Sequence, residues 1–157
     1  MKQRSSTANF FFHYIDRVSA IFILLFAYTA FSKLLEFSTF QFVLGASPLI
    51  GNYANIIAWM LPAAELAVAG LLFFPSTRTV GLKASLLLMT VFTLYLVYML
   101  VFSPELPCSC GGVLKKLSWR EHVYFNLILI LIAIIALFPS IIYKLFVATN
   151  RRSRKPV

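Results

Sequence analysis

Residues 79–102 read TVGLKASLLLMTVFTLYLVYMLVF, an apolar run whose single charged residue is Lys83. A helix rises about 1.5 Å per residue, so a run of this length can cross the roughly 30 Å hydrocarbon core of a bilayer. Pro104 follows shortly after the run, where a helix would stop. The sequence therefore predicts a transmembrane helix over residues 79–102.

Three other stretches share this length and composition, namely residues 16–35, residues 52–74 and residues 119–147. The hydrophobic fraction of 61%, the charged fraction of 12% and the mean hydropathy of +0.87 fit a chain surrounded by lipid. The predicted fold class is all-α, a polytopic membrane protein with a four-transmembrane-helix bundle. Residues 1–149 form its single domain, and residues 150–157 form a basic tail.

The residues on either side of the first predicted span carry two further expectations. A basic start before an apolar stretch is also typical of a cleavable signal, but no good small-x-small cleavage site follows, because Tyr28 precedes Ala30. We therefore expect a retained first helix. Residues 34–44 are too apolar for a free loop and too short to cross the bilayer, which predicts a short segment along the outer interface.

The basic residues indicate how the chain is oriented. Four spans place both termini on one side, together with ten of the basic residues: Lys2, Arg4, Arg17, Arg78, Lys83, Lys144, Arg151, Arg152, Arg154 and Lys155. Four others, Lys33, Lys115, Lys116 and Arg120, fall on the opposite side. The positive-inside rule then predicts cytoplasmic termini in a bacterial inner membrane and a periplasmic loop over residues 103–117.

The net charge of +9 is not arranged as a basic face or a nucleic-acid motif. We therefore predict no nucleic-acid partner. The lipid bilayer is the expected contact of the basic tail.

The loop between the third and fourth spans contains Cys108-Ser109-Cys110-Gly111-Gly112, with the only two cysteines of the chain. A disulfide across one intervening residue closes a very small ring, and strained disulfides are more easily reduced. Closing so short a loop also stabilises the fold little. In the oxidising periplasm this pattern favours an exchanging pair. Gly111 and Gly112 would let a partner's backbone approach closely.

The start of the fourth span offers groups that could support the cysteines. Lys115, Lys116 and Arg120 are cations close to the cysteines in the sequence, and the positive end of the fourth helix follows a few residues later. Both favour the thiolate, which is the reactive form of cysteine. Ser118 and Glu121 fit a capping box. Trp119, His122 and Asn126 form an i, i+3, i+7 stripe that could line a pocket beneath the cysteine loop. His122 is either a proton-handling residue or an interfacial histidine, and Trp119 is either an interfacial anchor or a functional aromatic.

Polar residues inside the predicted spans are a second feature of the sequence. Glu65 lies near the middle of the second span, where a carboxylate requires protonation or a partner. Lys33, at the outer end of the first span, has a stem long enough to reach inward to it. We predict a structural Lys33–Glu65 pair, with a proton relay as the alternative. Tyr95 and Tyr98 give the third span an aromatic side, for helix packing or a quinone pocket.

These motifs together resemble the DoxX-like superfamily and, within it, the MauE family of four-helix membrane proteins. The resemblance covers about residues 30–126 and rests on Ser32-Lys33-Leu34, Leu61-Pro62-Ala63-Ala64-Glu65, Cys108-Ser109-Cys110-Gly111, Leu117-Ser118-Trp119 and Asn126. Gly111 stands where the family's loop often has Phe. The resemblance implies a helper in disulfide formation or thiol redox transfer for exported proteins, alongside a thioredoxin-like partner.

The function predicted from the sequence is a thiol–disulfide oxidoreductase component in which Cys108 and Cys110 exchange a disulfide with a thioredoxin-like envelope protein or an exported thiol client. One cysteine pair alone cannot complete a relay, so the second redox centre would be a partner's cysteines or a bound quinone, the candidate cofactor. Two alternatives remain: a non-catalytic scaffold subunit, and a metal-handling protein in which both thiolates and His122 are ligands.

Overall fold

The computed structural model describes residues 2–102 and 119–138, with side chains described from residue 14 in the first range and from residue 120 in the second. In these ranges all the regular elements are helices: α1 (Lys2–Leu35), α2 (Phe37–Gly45), a 3₁₀ turn (Gly51–Tyr53), α3 (Ala54–Phe73), α4 (Arg78–Phe102) and α5 (Trp119–Leu137). Four of them, α1, α3, α4 and α5, are long and apolar enough to cross a membrane. The predicted all-α, four-span fold class is confirmed.

The helix bounds differ from the predicted spans mainly at the start of α1. This helix begins at Lys2 and not at residue 16, although its membrane-length apolar part is Tyr14–Leu35. A helix satisfies its own backbone hydrogen bonds, so it can continue beyond the apolar stretch. Helix α3 runs without interruption through Pro62. The predicted end of the fourth span at residue 147 and the basic tail lie outside the described residues.

The long helices pack in the order α1, α3, α4, α5 around a shared apolar core. Its most buried members come from all four: Phe22 of α1, Leu72 of α3, Leu82 of α4 and Ala133 of α5. Large apolar side chains also cover the outside of the bundle, such as Leu24, Leu87 and Leu131, which are 72%, 67% and 57% exposed. Such a surface is normal against lipid tails and would promote aggregation in water.

One end of the bundle, which we call the Arg78 end, is closed by a tight connection between α3 and α4. Thr77 Oγ1 donates to the Leu71 carbonyl at 2.7 Å, and Arg78 Nε donates to the Leu72 carbonyl at 3.3 Å. The Arg78 guanidinium also pairs with Asp16 of α1. The starts of the α1 span and of α4 therefore lie at the same end.

The opposite end, which we call the Lys33 end, is covered by α2. Phe40 and Leu44 of this nine-residue helix pack against Ala54 and Ala58 of α3. The following loop reaches α4, where Ser47 Oγ lies 3.6 Å from Met99 Sδ. The segment predicted to follow the outer interface is thus a short helix with one face packed on the bundle.

A polar cluster inside the helix bundle as the candidate functional site

An ion pair between α1 and α3 is the centre of the candidate site. Lys33 Nζ, in the last turn of α1, lies 2.8 Å from Glu65 Oε1 and 3.0 Å from Glu65 Oε2. Their side chains are 2% and 10% exposed. The same ammonium donates to the Thr29 carbonyl at 3.3 Å and lies 5.9 Å from the centre of the Phe40 ring. The structure thus brings together the two charged residues that the sequence singled out.

The depth of this pair explains why the two charges need each other. Glu65 lies roughly 17 Å along α3 from Ala54, at about 1.5 Å per residue, well inside a helix that is long and apolar enough to cross a membrane. A lone charge at that depth is unfavourable by several kcal/mol, and a close, hydrogen-bonded partner offsets this. Lys33 reaches it with a long aliphatic stem that itself packs in the apolar interior.

Two polar residues of α5 complete the site. His122 and Asn126 are 1% and 4% exposed, and their spacing of four residues puts them on one face of α5. Both line a cavity of about 40 Å³ that Thr29, Lys33 and Glu65 also line. We call these five residues the polar cluster. Among the residues that the structure describes, the Asn126 amide nitrogen has no hydrogen-bond partner.

The cavity in the polar cluster has the size and lining that internal water requires. A void needs about 10–15 Å³ of probe-occupied volume and two or more polar partners to hold one water molecule. The Glu65 carboxylate and the Asn126 amide provide such partners, and both face this void. The cluster therefore has room and hydrogen-bond partners for a water molecule inside an otherwise apolar bundle.

The sequence predicts that His122 and Asn126 line a pocket beneath the cysteine loop, which itself lies outside the described residues. The structure places both residues in the same cavity as the Lys33–Glu65 pair, a meeting that the sequence did not predict. His122 is 1% exposed, and the choice between a proton-handling residue and an interfacial histidine stays a prediction. Thr29, the fifth member, was not identified from the sequence, because a threonine in a helix commonly bonds to its own backbone, as Thr29 does to the Phe26 carbonyl.

The remaining residues of the sequence-based site fall outside the part of the chain that the structure describes, in whole or at the side chain. Cys108, Cys110, Gly111, Gly112 and Ser118 lie outside the described residues. Trp119 begins α5, and its side chain also lies outside them. Within residues 2–102 and 119–138, no group of three or more His, Cys, Asp and Glu residues could hold a metal ion. The metal hypothesis depends on the cysteines and stays an untested prediction.

Four membrane-length helices around a buried ion pair define the class of protein, a multi-pass membrane protein. Residues 10–139 match the family model described as methylamine utilisation protein MauE, and the chain belongs to the MauE family. The match includes the four spans and the Cys108–Cys110 loop. Searches of curated proteins and of solved structures returned no significant match. The wider DoxX-like assignment stays a prediction from the sequence.

Proposed function

We propose that this protein is the membrane component of an envelope thiol–disulfide relay. In this proposal, Cys108 and Cys110 exchange a disulfide with a thioredoxin-like partner and so support the maturation of exported proteins. The observation that carries it is that the only two cysteines of the chain form a Cys-x-Cys motif inside the region matched by the family model.

The chemistry of exchange needs only one cysteine pair as a dithiol and the other as a disulfide. A thiolate of the dithiol attacks one disulfide sulfur and expels the other as a thiolate, which leaves a mixed disulfide between the two proteins. The second thiolate of the attacking pair then attacks its neighbour's sulfur in the mixed disulfide, forms the new disulfide and releases the other protein as a dithiol. The pair that becomes a disulfide loses two electrons and two protons, and the other pair gains them. The small ring closed by a Cys108–Cys110 disulfide would be strained and readily opened, so it suits an exchanging disulfide better than a disulfide that stabilises the fold.

The polar cluster supports this proposal by its position at the Lys33 end of the bundle. Helices α4 and α5 flank the cysteine loop in the chain, and His122 lies in the first turns of α5. A histidine changes charge near neutral pH and can accept or return a proton released by a thiol. We therefore propose His122 as the proton-handling residue of the relay, with Glu65 and Asn126 as its neighbours around the cavity.

The family description supports a particular setting for the client. It names methylamine utilisation, and we propose that the client is an exported, disulfide-containing protein of that process. Inner-membrane location with the cysteine loop on the periplasmic side belongs to the same proposal, because thioredoxin-like envelope partners act there.

Mixed-disulfide trapping tests the relay. Cys108→Ser or Cys110→Ser leaves one thiol that can attack a partner but cannot release it, so one of the two variants should accumulate a covalent adduct with a thioredoxin-like protein. The adduct is detected on non-reducing gels and its partner is identified by mass spectrometry. Ser109→Ala serves as a control in the same loop and should behave as the wild type.

The opposite result is equally clear. If neither single variant forms an adduct, and the wild-type pair stays fully oxidised when the oxidant supply is changed, the relay is rejected. The cysteines would then only tie a turn, as a non-catalytic scaffold subunit requires. The double Cys108→Ser, Cys110→Ser variant shows which adducts depend on these thiols.

A further inference from the structure

A second, larger cavity lies beside the polar cluster, between α2, α3 and α4. Its volume is about 430 Å³, within the usual range of small-molecule sites. Among the described side chains that line it, nearly all are apolar or aromatic, and Lys33 is the charged one. The residues that matter for its ligand are Phe40, Leu61, Phe92, Tyr95 and Tyr98. We call this cavity the lateral pocket.

The lateral pocket opens toward the surrounding lipid. Leu49, Val91 and Leu94 line it and are 55%, 57% and 65% exposed. Val91 and Leu94 belong to the membrane-length helix α4, so their exposed surfaces face the bilayer. A ligand of this pocket would therefore enter from the membrane and would be lipid-soluble.

Aromatic side chains indicate that the ligand contains a planar ring. Phe92, Tyr95 and Tyr98 follow one another at spacings of three residues along α4, and Phe40 of α2 contributes to the same pocket. Aromatic rings at facing walls favour a flat ligand ring through stacking and edge contacts. An acyl chain gains no such interaction.

The charges at the inner end of the pocket select a neutral headgroup. Lys33 lines both the lateral pocket and the small cavity, but its charge is balanced by Glu65. An anionic phosphate there would lie close to the Glu65 carboxylate. A carbonyl oxygen can instead accept a hydrogen bond from the ammonium, replacing the long 3.3 Å contact to the Thr29 carbonyl.

We propose that the lateral pocket binds a prenylated quinone, with a ring carbonyl near Lys33 and the isoprenoid tail directed to the bilayer. The choice of a redox ligand rests on the proposed function. Oxidation of the Cys108 and Cys110 thiols to a disulfide releases two electrons and two protons, and reduction of a quinone to the quinol takes up both.

A matched pair of substitutions on α4 tests the site. Val91 lines the pocket, whereas Val97 lies on the same helix and is not among its lining residues; they are 57% and 41% exposed. Protein purified from membranes in lipid nanodiscs is extracted, and bound quinone and phospholipid are quantified per protein. Val91→Trp fills the pocket and should lower bound quinone by roughly tenfold. Val97→Trp should leave it unchanged, and both variants should keep the wild-type thermal unfolding temperature.

Three results would overturn this inference. They are wild-type protein that carries phospholipid but no quinone, Val91→Trp protein that keeps its quinone, and equal loss of quinone in both tryptophan variants. Combining this measurement with mixed-disulfide trapping in the single Cys108→Ser and Cys110→Ser variants separates the two proposals. Bound quinone together with no mixed disulfide would reject the relay and keep the pocket, while a mixed disulfide with no bound quinone would do the reverse.

Discussion

At the scale of single residues, Lys33 and Glu65 should stabilise the fold because each supplies the counter-charge that the other needs when buried. Glu65→Gln leaves the Lys33 ammonium buried without a counter-charge, and breaking a buried pair in this way costs about 3–5 kcal/mol. Adding Lys33→Met to the same protein removes the uncompensated charge, so the double variant should be less destabilised than the sum of the two single variants. Chemical unfolding in mild detergent measures all three free energies.

The ion pair at the Arg78 end is the matched control for this cycle. The side chains of Asp16 and Arg78 are 53% and 21% exposed, so water already solvates part of both charges. Asp16→Asn should therefore change the free energy of unfolding by about 0–1 kcal/mol. If the effects of Lys33→Met and Glu65→Gln on the free energy of unfolding were strictly additive, the two residues would not act as a pair. If Asp16→Asn lowered the free energy of unfolding more than Glu65→Gln, the buried pair would not be the more stabilising of the two.

At the scale of elements, the packing of α3 against α4 depends on a missing side chain. A Cβ added to Gly81 would lie 2.9 Å from both the backbone nitrogen and Cδ2 of Leu72, whereas one added to Gly70 would meet nothing within 4 Å. Gly81→Ala should therefore destabilise the protein by about 1–3 kcal/mol. Gly70→Ala should be neutral or stabilising by up to about 1 kcal/mol, since alanine is the better helix former. Thermal unfolding of both variants in one detergent checks the contrast, and equal unfolding temperatures would contradict it.

How well the sequence predicts each helix and contact depends on the physical effect that determines it, such as hydropathy, backbone hydrogen bonding or charge pairing. Hydropathy located the four long helices, because crossing a bilayer imposes length and composition. It could not give the start of α1 at Lys2, since backbone hydrogen bonding continues a helix beyond the apolar part. The Lys33–Glu65 contact was predictable because a charge in lipid needs a partner. The meeting of His122 and Asn126 with that pair was not, because periodicity gives a helix face but not the helix it meets.

The lateral pocket was likewise beyond the sequence. The sequence predicts an aromatic side of α4 from Tyr95 and Tyr98, with helix packing or quinone binding as alternatives, but does not single out Phe92. Only the position of α2 over the Lys33 end turns that side into a wall of a cavity. Short helices of nine residues carry too little periodic signal to fix such a position from sequence.

At the scale of the whole molecule, the two ends of the bundle should face different compartments. The Arg78 end contains the α3–α4 connection, whereas α4 ends and α5 begins toward the Lys33 end. Ten of the 14 basic residues are predicted on the side of the Arg78 end and the termini. Since positively charged loops are retained in the cytoplasm, the Lys33 end should be periplasmic.

Cysteine labelling from outside the cell tests this orientation. A membrane-impermeant maleimide should label reduced Cys108 and Cys110 in intact spheroplasts. In a Cys108→Ser, Cys110→Ser background, Ser76→Cys places a thiol in the exposed α3–α4 connection at the Arg78 end, and it should react only after the membrane is permeabilised. The reverse pattern would put the cysteine loop in the reducing cytoplasm and would remove the basis for exchange with an envelope partner. Only α4 lies between the α3–α4 connection and the cysteine loop in the chain, so a single orientation puts the two loops on opposite sides of the membrane. Labelling of both positions in sealed cells would therefore contradict a single orientation.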